Sequence, residues 1–148
     1  FDLNIYIYDP YISKAKIEKL GAKSVSLKEI FINCDIISNH LADTVQTKKM
    51  LDYSLLSLIK KNATFINTAR GKQVVEKDLC KVMRLKPDAC ALLDVTSIEP
   101  ILPTSCLLRR KNIFITPHIS GSNPNEFKRI VISMLNSYNH CKEKLNDI

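Results

Sequence analysis

The sequence has very little glycine: Gly21, Gly71 and Gly121 are the only three among its 148 residues. A phosphate-binding turn of the G-x-G-x-x-G type needs closely spaced glycines, so these residues cannot form one. No apolar run approaches the roughly 20 residues that a membrane-spanning helix requires. We therefore expect neither a membrane partner nor a signal peptide.

The cysteines are few and scattered. Their number is odd, no C-x-x-C pair occurs, and Cys90 lies within an apolar run. This usage is typical of reduced thiols and predicts a cytoplasmic protein without a disulfide framework or a metal site. The five positions are Cys34, Cys80, Cys90, Cys106 and Cys141.

Concentrated positive charge is also missing. The net charge of +7 comes mostly from lysines spread along the chain, without a block of five or six basic residues. A nucleic-acid interface needs clustered cations, so the charge predicts solvated faces with a mild attraction for anions. Nucleic-acid binding stays the weaker alternative, and we expect no nucleic-acid partner.

Apolar strands alternate with helical segments along the whole chain. This order predicts an α/β fold with a doubly wound, Rossmann-like parallel sheet. The predicted strands cover residues 3–8, 23–25, 35–41, 64–68, 89–95 and 112–116. The predicted helices cover residues 14–20, 26–31, a stretch from Thr44 or Thr47 to 59, 76–84 and 124–145.

Polar side chains follow three successive predicted strands. Arg70 follows the strand 64–68, Asp94 and Glu99 follow the next, and His118 follows the strand 112–116. Parallel strands bring these positions to one edge of the sheet, where such folds bind ligands. An arginine that binds a carboxylate and a histidine that moves a proton beside an acid suit hydride transfer to a keto acid. Each residue alone is more often structural.

Asp9 ends the first predicted strand. An acid at this position of a dinucleotide-binding fold accepts hydrogen bonds from a ribose and repels a 2′-phosphate. It would therefore favour NAD over NADP. Asp-Pro is also a common turn, and for Asp9 alone the turn is the more frequent explanation.

Five segments together resemble the nucleotide-binding domain of the D-isomer-specific 2-hydroxyacid dehydrogenases, in the family's order. They are YDPY at 8–11, SLKEIFINCDIISNHLADTVQTKKML at 26–51, FINTARGKQVVEKDL at 65–79, LLDVTSIEP at 92–100 and NIFITPHISGS at 112–122. The resemblance implies an oxidoreductase that uses NAD and a small 2-keto or 2-hydroxy acid, weakly of the glyoxylate or hydroxypyruvate type. The sequence departs from the family pattern at two positions, since Ala42 and Ile98 stand where proline is common in the family.

By the same resemblance, Arg70 binds the substrate carboxylate, His118 is the acid/base and Glu99 orients it. Asp9 binds the ribose and Asp94 the nicotinamide carboxamide. The other residues implied to bind the cofactor are Leu41, Ala42, Thr47, Thr68, Ala69, Arg70, Ser120 and Gly121.

No glycine precedes Asp9, so the family's first strand, glycine-rich turn and helix are missing. We expect residues 1–148 to be a partial NAD-binding domain without a substrate domain. It would come from a longer, homodimeric enzyme or from a truncated gene product. Because the first strand is central, its loss predicts a gap in the sheet or direct closure of its two neighbours. The alternatives are a non-catalytic scaffold, as among the family's corepressor relatives, or a decayed gene product.

Overall fold

The computed structural model describes residues 2–122 and 124–146. Parallel strands alternate with helices, which confirms the predicted α/β class. The strands are β1 (Tyr6–Ile7), β2 (Lys23–Ser24), β3 (Ile36–Asn39), β4 (Thr64–Asn67), β5 (Cys90–Leu93) and β6 (Ile113–Ile115). The helices are α1 (Lys14–Lys19), α2 (Leu27–Asn33), α3 (Tyr53–Leu56), α4 (Glu76–Leu85) and α5 (Pro124–Asn146), with 3₁₀ turns at Gly71–Gln73 and Cys106–Arg109.

The described strands form two separate parallel sheets. One has the order β3-β4-β5-β6, and Phe65 lies opposite Ile37 on one side and Ala91 on the other. The second contains only β1 and β2. Strands β1 and β3 do not pair with each other, so of the two predicted outcomes, a gap or direct closure, the structure shows the gap.

Both edges of the gap carry backbone groups that point into it. The carbonyl oxygens of Ile5 and Ile7 accept hydrogen bonds from β2 and its flank, so the backbone groups of Tyr6 face the other way. Asp35 pairs with Thr64 in the same manner, which turns the groups of Ile36 towards the gap. The backbone N–H and C=O groups of successive residues in a strand point to opposite sides of that strand. The groups of Tyr6 and Ile36 are therefore turned towards the gap.

The core lies between the four-stranded sheet and its helices. Phe31 of α2 and Phe65 of β4 are almost fully buried, with ring centroids 6.5 Å apart. On the other helices, Leu56 of α3 and Leu79 of α4 are completely buried. This core fixes the strand ends that carry the polar residues described below.

One predicted helix start agrees with the structure and another does not. Ser26 caps α2 in a capping box with Glu29, as the S-x-x-E spacing predicts. The prediction that a helix begins at Thr44 or Thr47 is wrong. The two threonines bond to each other's backbone N–H groups, at 3.1 and 3.3 Å, and close a turn instead. The helix begins at Tyr53, after its cap Asp52.

Helix α4 has no side-chain cap, because Val75 occupies its N-cap position in an extended conformation. We expect Val75→Thr to raise the free energy of unfolding by about 0.5–1 kcal/mol, since its hydroxyl can accept an N–H of the first turn. Urea denaturation of the 148-residue chain measures this effect. Ser26→Ala, which removes an existing cap, should lower the same quantity by about 1 kcal/mol. An unchanged midpoint for Val75→Thr contradicts the expectation.

Two cysteines correct the expectation of unpaired thiols. Cys80 of α4 and Cys106 of the second 3₁₀ turn form a disulfide, with Cα atoms 6.3 Å apart. The two positions are 26 residues apart in sequence and meet because the 3₁₀ turn packs on α4. Cys34 and Cys90 are free. Cys141 lies outside the side chains that the structure describes.

The last helix, α5, starts at Pro124 as predicted and runs for 23 residues. Its apolar residues at helical spacing are exposed, among them Phe127 at 66% and Met134 at 67%. Among the residues described, no helix has the length and apolar content needed to cross a membrane.

Candidate functional site

The polar residues predicted from the sequence lie beyond the carboxyl ends of three neighbouring strands. Strand β4 ends at Asn67, β5 at Leu93 and β6 at Ile115. Arg70, Asp94 and His118 follow these ends within three residues. Because the three strands are parallel and adjacent, the residues share one edge of the sheet.

Glu99 and His118 form a pair at this edge. His118 Nδ1 lies 2.8 Å from Glu99 Oε2 and donates to it, and both side chains are about half exposed. The hydrogen bond from His118 is the main reason that the pKa of Glu99 lies below its usual range, and the Thr96 N–H adds to it. Glu99 is therefore a carboxylate at neutral pH. Among the described residues, no hydrogen bond to His118 Nε2 occurs.

The loop before Glu99 is tied to helix α4. Thr96 N–H donates to Glu99 Oε1 at 3.0 Å, and Ser97 N–H donates to Glu76 Oε1 at 2.6 Å. Glu76 lies in the first turn of α4, which the core holds in place. The carboxylate of Glu99 is thus fixed on both of its oxygens.

Asp94 anchors the loop that carries His118. Its carboxylate accepts the Thr116 hydroxyl, the Ile119 N–H at 3.0 Å and the Ser120 N–H at 2.9 Å. Burial acts to raise the pKa of Asp94, but the hydrogen bonds from Ser120, Thr116 and Ile119 outweigh it and hold that pKa far below its usual range. These bonds help to hold His118 at a φ of 53°, a left-handed conformation that costs energy for a residue with a side chain.

Arg70 extends from the loop after β4. Its Nη1 donates to the Ala69 carbonyl at 2.7 Å, and its Nε lies 3.9 Å from Asp43 Oδ2. The side chain is 56% exposed, so its guanidinium can accept an anionic ligand. No hydrogen bond or ion pair joins Arg70 to Glu99 or His118 within the part of the chain that the structure describes.

Three buried amides connect the loops after β3 and β4. Asn39 Nδ2 donates to Asn67 Oδ1 at 3.0 Å and to Gln73 Oε1 at 2.7 Å. Gln73 Nε2 then donates to the carbonyls of Leu41 at 2.8 Å and Ala42 at 3.0 Å. The three side chains are at most 5% exposed, so this network fixes both loops strongly.

A cleft of about 770 Å³ lies at the gap between β1 and β3. Asp9, Leu41, Ala42 and Thr47 line it, beside apolar residues such as Ile7 of β1. The other residues predicted to bind the cofactor do not line this cleft but lie at the sheet edge described above. They are Thr68, Ala69, Arg70, Asp94, Ser120 and Gly121.

Asp9 also closes a turn. Its Oδ1 accepts the N–H groups of Tyr11 at 2.8 Å and Ile12 at 3.2 Å. The structure thus shows the Asp-Pro turn that the sequence suggests. Asp9 nevertheless lines the cleft.

Sequence reasoning missed several residues of this region. Gln73 is a polar residue between Gly71 and Val74, a pattern that fits an exposed turn as well as a buried amide. The sequence gives no clear signal for its burial, because Gly71 and Lys72 precede it and only Val74 and Val75 after it are apolar. Asp43 and Glu76 carried no separate signal.

Comparisons with known proteins agree with this fold. The family model described as D-isomer specific 2-hydroxyacid dehydrogenase, NAD binding domain, matches residues 1–120. A glyoxylate reductase from Aeropyrum pernix is 38% identical over 117 residues, which are 78% of this chain and 35% of that protein.

Solved structures give the same result. The phosphoglycerate oxidoreductase from Vibrio cholerae O395 matches with a TM-score of 0.78 and 26% identity, over 91% of this chain and 46% of that one. A probable 2-hydroxyacid dehydrogenase from Rhizobium etli CFN 42, solved with NADP, matches with a TM-score of 0.73 and 25% identity, over 94% of this chain and 45% of that one. The chain spans 23% of the length of a D-3-phosphoglycerate dehydrogenase from Archaeoglobus fulgidus and 42% of that of a hydroxypyruvate reductase from Blautia hydrogenotrophica.

Proposed function

Because the chain belongs to the D-isomer-specific 2-hydroxyacid dehydrogenase family, we propose that residues 1–148 form part of the NAD-binding domain of such an enzyme. The reaction is hydride transfer between NAD(H) and a small 2-keto or 2-hydroxy acid. The observation that carries the proposal is the Glu99–His118 pair on the sheet edge that also bears Arg70. The 38% identical glyoxylate reductase supports a glyoxylate- or hydroxypyruvate-like substrate.

Arg70 binds and orients the substrate in this proposal. Its guanidinium offers a planar fork of N–H donors that matches a carboxylate, and its exposed side chain can reach one. The buried amides below the loop hold its backbone, since Asn67 Nδ2 donates to the Arg70 carbonyl at 3.3 Å. When Arg70 holds the substrate carboxylate in a fixed position, the substrate carbonyl is oriented towards His118.

His118 acts as the acid in reduction and as the base in oxidation. With Nδ1 donating to Glu99, its Nε2 is the nitrogen that exchanges a proton with the substrate oxygen. The carboxylate of Glu99 stabilises the protonated imidazole and fixes the ring. Asp94 acts indirectly, because it accepts hydrogen bonds from the loop that contains His118 and so holds that loop in place.

The nicotinamide dinucleotide supplies or accepts the hydride when bound. The cleft near Asp9, with its apolar walls and one acid, suits an adenosine, and Leu41, Ala42 and Thr47 would contact it. Asp94, Thr68, Ala69, Ser120 and Gly121 lie on the edge where the nicotinamide would bind. Asp9 would favour NAD, although two structural neighbours were solved with NADPH or NADP.

An enzyme assay tests the proposal. We expect the enzyme-length, homodimeric protein containing this chain to oxidise NADH with glyoxylate, hydroxypyruvate or pyruvate. Sequencing the DNA upstream of Phe1 first shows whether a strand and a G-x-G-x-x-G turn are encoded in frame. An enzyme-length protein that binds NADH but reduces none of a panel of 2-keto acids would support a non-catalytic scaffold instead.

The 148-residue chain itself should bind NAD weakly and turn over nothing. No closely spaced glycines are available for the pyrophosphate, so the backbone N–H donors of a phosphate loop are missing. Isothermal titration of the chain with NAD measures this. A clean single-site titration with a micromolar Kd contradicts the expectation.

A further inference from the structure

We propose that Asp43 is a specificity-determining residue, which disfavours substrates with a second negative charge. The inference rests on the proposed role of Arg70 in binding the substrate carboxylate. It names the substrate class more narrowly: a 2-keto or 2-hydroxy acid with one carboxylate and a neutral remainder.

The first observation is the position of Asp43 beside Arg70. Asp43 Oδ2 lies 3.9 Å from Arg70 Nε, and the two side chains are 61% and 56% exposed. A pair this exposed contributes little to stability. Its charge acts instead on whatever anion approaches the arginine.

The second observation is that the loop of Asp43 is held in place. Gln73, which is completely buried, donates to the carbonyls of Leu41 and Ala42, directly before Asp43. The Thr47 hydroxyl donates to the Ala42 carbonyl as well, at 2.7 Å. The loop cannot withdraw Asp43 from Arg70 without breaking hydrogen bonds of the buried Gln73 amide, which are costly to leave unmade.

The third observation is the balance of charge at this edge of the sheet. Arg70 stands at the same edge as the carboxylates of Glu99 and Asp94, and Asp43 approaches it directly. One substrate carboxylate is compensated by the arginine. A second carboxylate or a phosphate on a small substrate is repelled by Asp43, the acid that lies beside the arginine.

Oxamate and oxalate provide a direct test, because they have nearly the same shape and carry one and two negative charges. Each is titrated into the 148-residue chain, and the Arg70 Nε–H resonance is followed by NMR. We expect the chain to bind oxamate about three-fold more tightly than oxalate, the size of effect that two charges ~6 Å apart produce in water, because Asp43 and Arg70 are both more than half exposed. Asp43→Asn should remove most of that preference.

Two further variants make the outcome unambiguous. Asp88→Asn removes another exposed acid, paired with Lys61 at 3.1 Å, and should leave the oxamate-to-oxalate ratio unchanged. Arg70→Met should abolish binding of both probes. If Arg70→Met binds both probes as well as the original chain, or the original chain binds neither, the proposed role of Arg70 fails and the inference with it. If binding needs Arg70 but Asp43→Asn keeps the ratio, or the original chain prefers oxalate, only the inference about Asp43 is overturned.

Discussion

Gly71→Ala should lower the free energy of unfolding by about 3 kcal/mol or more. A Cβ atom at this position would fall on the carbonyl group of Thr96 and lie 2.5 Å from the Ser97 nitrogen. These are backbone atoms, which cannot rotate away as a side chain does. The substitution therefore separates the Arg70 loop from the loop that leads to Glu99. Urea denaturation measures the loss.

Gly121→Ala is the matched control. No atom lies within 4 Å of a Cβ built at Gly121, so this variant should keep the stability of the original chain within about 0.5 kcal/mol. Equal stability of the two variants would show that the loops at Gly71 and Thr96 are not packed as described.

Asp94→Asn has the second largest expected effect. The carboxylate is 5% exposed and accepts three hydrogen bonds from the His118 loop. Asparagine has an NH2 group in place of one carboxylate oxygen, and this group would face other hydrogen-bond donors. We therefore expect the free energy of unfolding to fall by about 2–4 kcal/mol. The hydrogen-exchange rates of the Ile119 and Ser120 amides should also rise by more than the loss of global stability alone explains, because both amides donate to Asp94.

The same carboxylate makes stability depend on pH. Because its pKa is lowered in the folded protein, the unfolded chain binds a proton more readily and stability falls as pH falls. The contribution is complete above the ordinary value of 3.8 and is lost as pH decreases below it. Asp94→Asn should flatten this acid limb, whereas Asp35→Asn, at an exposed ion pair with Lys60, should keep it. An identical acid limb in the original chain and Asp94→Asn contradicts the account.

The sequence predicted the features that depend on local pattern and strand order. The Ser26 cap followed from S-x-x-E, and the shared edge of Arg70, Asp94 and His118 followed from three parallel strands. The gap between β1 and β3 is one of the two arrangements that the sequence predicts, and direct pairing of the two strands is the other. Each needs only spacing along the chain and one topological rule.

Other features depend on contacts that spacing does not determine. The bond between Asn39 and Gln73 joins residues 34 positions apart. Cys80 and Cys106 meet only because a 3₁₀ turn packs on α4. The Thr44–Thr47 turn replaced a predicted helix because the two hydroxyls bond to the backbone, a local competition that helical periodicity does not register.

The structure thus separates two parts of one proposed site. The edge with Arg70, Glu99 and His118 has its hydrogen bonds in place, whereas the cleft beside Asp9 opens onto unpaired strand edges. In the proposed function, the first part holds the substrate, the proton-transfer pair and the nicotinamide, and the second holds the adenosine. The roles of the first part can therefore be tested separately.

The most direct test of the account is the turnover of His118→Gln in the enzyme-length protein, with NADH and the best 2-keto acid. We expect kcat to fall about 10²–10⁴-fold, with NADH affinity unchanged, because only the proton transfer is lost. Turnover by His118→Gln within a few-fold of the original enzyme would show that the Glu99–His118 pair is structural and would contradict the central claim.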